Sequence, residues 1–95
     1  MGHTKFENLK DLKKEFTIIK SWNGIKEKTP GVFYYKSIPF LHFHDKDGKR
    51  WADVKTQIGF QSIPIDFNST PQIRKLFQDT VMSAYEALRV RKEKR

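Results

Sequence analysis

Ninety-five residues with a formal net charge of +8, 37% hydrophobic and 14% aromatic content and no cysteine describe one domain with a single modest core. The lack of cysteine excludes disulfides, cysteine zinc sites and thiol nucleophiles. No run approaches the roughly 20 apolar residues of a membrane span or the apolar stretch of a secretory leader, so a cytoplasmic protein without membrane association is the expectation.

Residues 1–95 read as a single unit, with 1–3 set aside as a disordered or cloning-derived start. The first element is a helix over "TKFENLKDLKKEFTIIKSWNG", where Phe6, Leu9, Leu12, Phe16 and Ile19 recur at helical spacing with lysines between them. Thr4 and Glu7 have capping-box spacing, and Asn23-Gly24 is a stop signal. Residues 25–30 are a connector or a short edge strand.

From Val32 to Phe67 the period falls to two, and turn residues divide the run into "VFYYK", "FLHFH", "RWADVKT" and "SIPIDF". These form an antiparallel meander of three to four strands, and Pro64 places the last of them at an edge or at a bulge. Thr70 then caps a second helix with Pro71 at its first position. Its stripe is Ile73, Phe77, Val81, Ala84 and Leu88, widened by Leu76 and Tyr85. The fold class is α+β, two-layered, with both helices on one side of the sheet.

With Asp47-Gly48 as the centre of a tight turn, Lys46 faces Lys49, His44 faces Trp51 and His42 faces Asp53, while Phe43 meets Ala52 and Leu41 meets Val54 on the other face; a four-residue loop would instead bring His42 opposite Trp51 and leave every side chain on the same face. With Ser37-Ile38 central in the preceding turn, Tyr34 stands opposite Leu41 and Tyr35 opposite Phe40. Val32, Tyr34, Leu41, Phe43, Ala52 and Val54 then face the helices. The open face is expected to carry Phe33, Tyr35, Phe40, His42, His44, Trp51, Asp53 and Lys55.

Such a face has the composition of a base-stacking platform, and Lys26, Lys28, Lys36, Lys49, Arg50 and Lys55 lie in or beside the strands. The same rings would equally close a small second cluster, or the interface of a homodimer. His42 and His44 leave one strand on the same side, and Asp53 is a third donor; a His-Asp hydrogen bond across the strands explains these residues without a metal. No serine or threonine sits in a nucleophile motif, and neither a cofactor motif nor phosphate-loop glycine spacing is present. Half of the charge excess lies in the basic C-terminal tail 89–95, Arg89, Arg91, Lys92, Lys94 and Arg95 with one Glu, where cations also suit a helix C-terminus. These features describe a noncatalytic binding module with a weak preference for nucleic acid.

"FLHFH" with "WADV", inside a stretch running from "KTPGVFYYK" to "AYEALRVR", resembles a family of small uncharacterised bacterial α+β proteins and, more distantly, a short bacterial domain labelled luciferase-like. The resemblance spans about Ser21 to Arg91 and implies a bacterial single-domain α+β protein, with no chemistry attached and no flavin signature in this chain. Size, charge and layer order are also similar to those of the small basic MmcQ/YjbR-type proteins, often called DNA-binding.

Overall fold

The structure, a computed structural model, describes residues 5–93. A 3₁₀ segment, Phe6–Leu12, runs directly into helix α1 (Lys13–Lys20). Strands β1 (Ile25–Thr29), β2 (Val32–Tyr35), β3 (Ile38–Lys46), β4 (Lys49–Thr56) and β5 (Gly59–Pro64) follow, then helix α2 (Pro71–Glu93). The strands lie side by side in sequence order, each antiparallel to the next. The architecture is the expected α+β one with five strands rather than three to four, because Ile25–Thr29 pairs with β2 as an edge strand.

Leu9 and Leu12 are three residues apart and share a face in a 3₁₀ helix as well as in an α-helix, so the inward stripe Leu9, Leu12, Phe16, Ile19 survives the change of helix type. Phe6 falls outside it and is exposed. Thr4, half of the expected capping box, lies outside the described residues. At Gly24 the chain reverses with φ +88°, and a Cβ there would stand 2.7 Å from Tyr35 Cε1, so both the backbone and the ring require glycine.

Both helices cover one side of the sheet. Leu9, Leu12, Phe16 and Ile19 from the first, and Phe77, Val81, Tyr85 and Leu88 from the second, form one cluster with Phe33, Leu41, Phe43, Ala52 and Val54 of the strands. Phe16 meets Phe33 edge-on at 5.1 Å, and Trp22 stacks on Tyr85 at 5.0 Å between ring centroids. The Tyr85 hydroxyl donates to the Asn23 carbonyl at 2.7 Å, so the polar end of that ring is satisfied where it meets the α1 terminus. Leu76, expected to widen the α2 stripe, is instead exposed.

Thr70 caps α2 as its sequence suggests: its hydroxyl accepts the Ile73 N–H at 3.2 Å, and Pro71 opens the helix. The last strand ends at Pro64 on the sheet edge, where a missing N–H leaves no ladder bond broken. It begins at Gly59, three residues before the expected start. Helix α2 continues to Glu93, so Arg89 and Arg91 belong to its final turns rather than to a tail, and Arg89 pairs with Glu86 at 2.9 Å. Lys94, Arg95 and the side chain of Lys92 lie outside the described residues.

The β2–β3 register differs from expectation. Tyr35 pairs with Ile38, so Lys36 and Ser37 are the central turn residues, with Lys36 at φ 57°. The pairing then slips between Phe33↔Leu41 and Tyr34↔Pro39, leaving Phe40 as an extra residue. This bulge turns Phe40 inward beside Leu41, and both are fully buried. The correct register also inverts β2, so that Phe33 and Tyr35 face the helices and Tyr34 and Val32 the other side.

Candidate binding face

The hairpin β3–β4 has the register its turn chemistry specifies. Asp47 and Gly48 both have positive φ, 53° and 79°, the combination that a two-residue primed turn demands. Lys46↔Lys49, His44↔Trp51 and His42↔Asp53 are paired on the side away from the helices. No helix covers that side among the described residues.

At its centre three polar atoms converge. His42 Nδ1 lies 2.9 Å from His44 Nε2, and His44 Nε2 lies 3.0 Å from Asp53 Oδ2. Ser62, opposite Asp53 on β5, donates its hydroxyl to Asp53 Oδ1 at 2.7 Å, which leaves Oδ2 turned to the imidazoles. Rings wall the cluster on two sides: Phe60 lies 4.9 Å from His42 and Trp51 5.6 Å from His44. All three donors are partly buried and lie within 4.8 Å of one another, a two-nitrogen, one-oxygen set of the kind that divalent metals accept.

Of the eight residues assigned to this face, His42, His44, Trp51, Asp53 and Lys55 are on it. Phe33, Tyr35 and Phe40 are not: inversion of β2 and the Phe40 bulge place them in the core, where Tyr35 and Phe40 meet Tyr85 edge-on at 5.8 Å and 6.4 Å. Two other rings take their place. Tyr34 is half-buried beneath the Lys28 ammonium at 4.6 Å, and Phe60, opposite Lys55, is exposed with Lys55 Nζ 5.4 Å from its centroid. Phe60 becomes legible only once the β4–β5 turn is known to centre on Gln57-Ile58, which carries no glycine or asparagine signal.

Charge is sorted across the sheet. The five strand lysines, Lys26, Lys28, Lys46, Lys49 and Lys55, lie on the open side, whereas Glu27 and Asp45 lie on the helix side and Asp53 is the one acid of the strands facing outward. Arg50, counted from sequence among the cations available to a polyanion, is on the helix side and its side chain is fully buried. Its guanidinium forms two bonds with the Asp11 carboxylate at 2.7 and 2.9 Å and donates to the carbonyls of Ile65, Asn8 and Asp66. That accounts for all five of its N–H donors. The same contacts hold the Asp11 carboxyl below its ordinary pKa, chiefly through the Arg50 hydrogen bonds, against a smaller opposing effect of burial. The site is structural and takes no part in the open face.

Comparison of the chain with known protein families, curated proteins and solved structures finds no match. No helix among the described residues is long and apolar enough to cross a membrane.

Proposed function

We propose that this protein is a noncatalytic binding module whose open sheet face takes single-stranded nucleic acid, weakly and with little sequence preference. The observation that carries the proposal is the sorting of charge and rings: five lysines share a face with Tyr34, Trp51 and Phe60 and with only one acid. Cations along a groove-free sheet neutralise phosphates, and every base has a π-face that can lie on an accessible ring. Asp53 is already engaged by Ser62 and His44, which reduces its repulsion of a phosphate.

Fluorescence anisotropy of short labelled DNA and RNA strands, measured with chelator present, tests the proposal. The five strand lysines alone give a slope of log K against log salt of roughly −3.5 for a single strand, and contacts by the cations of 89–95 would steepen it. Trp51→Ala and Phe60→Ala should each weaken binding by about 1–3 kcal/mol, or roughly 5- to 150-fold, by removing a stacking surface. Deletion of 89–95 should chiefly lower the salt slope. Binding that disappears with that deletion and ignores Trp51 and Phe60 would reduce the interaction to attraction between a basic protein and a polyanion. Sedimentation of the same samples reads out the competing use of the face, a homodimer that buries Trp51 and excludes the strand.

A further inference from the structure

We infer that His42, His44 and Asp53 form a binding site for a divalent transition metal, one that goes beyond the nucleic-acid reading and is independent of it. His44 Nε2 stands 2.9 Å from His42 Nδ1 and 3.0 Å from Asp53 Oδ2, so two imidazole nitrogens and a carboxylate oxygen converge on one spot of the sheet. A divalent ion held there would be met by the lone pairs of all three.

The spacing suits the ion. With metal–nitrogen bonds of about 2.0–2.1 Å, the His42–His44 and His44–Asp53 donor pairs, 2.9 and 3.0 Å apart, each subtend roughly 90° at the metal, neighbouring positions of an octahedral or tetragonal site, whereas a regular tetrahedron needs about 3.3–3.4 Å. Two imidazoles and one carboxylate are donors of intermediate softness, which selects zinc, cobalt, nickel or copper over calcium or magnesium. The scaffold is rigid, because His42 and Asp53 are direct partners in the β3–β4 ladder and His44 is the next outward residue on β3. Ser62 supplies the outer contact that orients a ligating carboxylate, its hydroxyl bound to Asp53 Oδ1 at 2.7 Å. Three protein donors on an uncovered face leave further coordination positions to water or to an anion such as a phosphate.

The test titrates the full chain, stripped with chelator and free of nucleic acid, with Zn²⁺ and with Co²⁺ near neutral pH. A ligand that binds only the folded state raises its melting temperature, by about 10–20 °C for a domain of this size at a hundredfold excess over Kd. Co²⁺ should also quench Trp51, whose ring lies 5.6 Å from that of His44. Both effects should vanish in His42→Gln and in His44→Gln, weaken at least tenfold in Asp53→Asn, weaken roughly 10- to 100-fold in Ser62→Ala, and persist in His3→Gln. No saturable shift, a shift retained by the double histidine variant, or one removed by His3→Gln would overturn the inference. Should the double variant fail to fold, the Co²⁺ absorption spectrum of the parent chain decides: nitrogen ligand-field bands are expected, and the spectrum of the hydrated ion overturns it. Because the oligonucleotide assay is run in chelator and this one without nucleic acid, either proposal can fail alone.

Discussion

Replacing Asp11 by alanine removes the carboxylate that closes the Arg50 clamp and also pairs with the more exposed Arg74. The Arg50 side chain is fully buried and that of Asp11 is 37% exposed, so the substitution strands a buried guanidinium with two N–H donors facing a gap that water can enter. Breaking a buried ion pair by removing one partner typically costs about 3–5 kcal/mol. Three carbonyl acceptors remain and the vacated position can hydrate, which lowers the expected loss to roughly 2–3 kcal/mol, or about 10–20 °C in melting temperature. Denaturant and thermal melts followed by circular dichroism measure it. The exposed pair Lys75–Asp79, at 2.9 Å, is the control, and Lys75→Ala should lose no more than about 0.5 kcal/mol. Because the folded Asp11 carboxyl titrates below its ordinary value of 3.8, its contribution is fully present at neutral pH and is lost as pH falls through that range toward the lowered folded pKa. The variant should show a correspondingly smaller loss on acidification. Equal stability of Asp11→Ala and the parent chain would refute the clamp.

Phe40→Ala should cost about 3–5 kcal/mol of stability, as for other buried aromatic truncations, whereas Phe60→Ala, on an exposed ring, should change the melting temperature little while weakening strand binding. Gly24→Ala forces a side chain into positive φ and against Tyr35, for an expected loss of roughly 2–4 kcal/mol in denaturant melts; an unaltered midpoint would mean that the turn relaxes freely.

The parts legible in the sequence are those where local chemistry leaves one option. Asp47-Gly48 accepts positive φ at both positions, so the β3–β4 register and the meeting of His42, His44 and Asp53 could be counted outward from the turn. Thr70-Pro71 marked the start of α2 for a similar reason. The β2–β3 turn carries no such mark, because Lys36 adopts φ 57° without being glycine or asparagine, and the bulge at Phe40 shifts the pairing with no residue to announce it. The displaced turn alone would have kept the faces, since it shifts each pairing by two; the single extra residue at Phe40 shifts it by one, which reversed β2 and left three core rings assigned to the wrong face. Arg50 is a different case. Its alternation with Ala52 and Val54 put it on the helix side in plain view, but a charge on that side makes sense only once Asp11 and the carbonyls of residues 8, 65 and 66 are known to converge there.

The order of the sheet bears on how the domain assembles. Every strand pairs with its neighbour in the chain, so each hairpin can close across a short loop without waiting for distant segments. The clamp is the opposite kind of contact: Arg50 reaches back to residues 8 and 11, and Arg74 crosses to Asp11 over 63 positions. Pairings of that span carry the larger loop-closure cost, so they are expected to form after the hairpins. Losses at Asp11 then belong in the unfolding limb of a chevron rather than the folding limb, and the clamp acts as the latch that sets how long the finished domain stays closed.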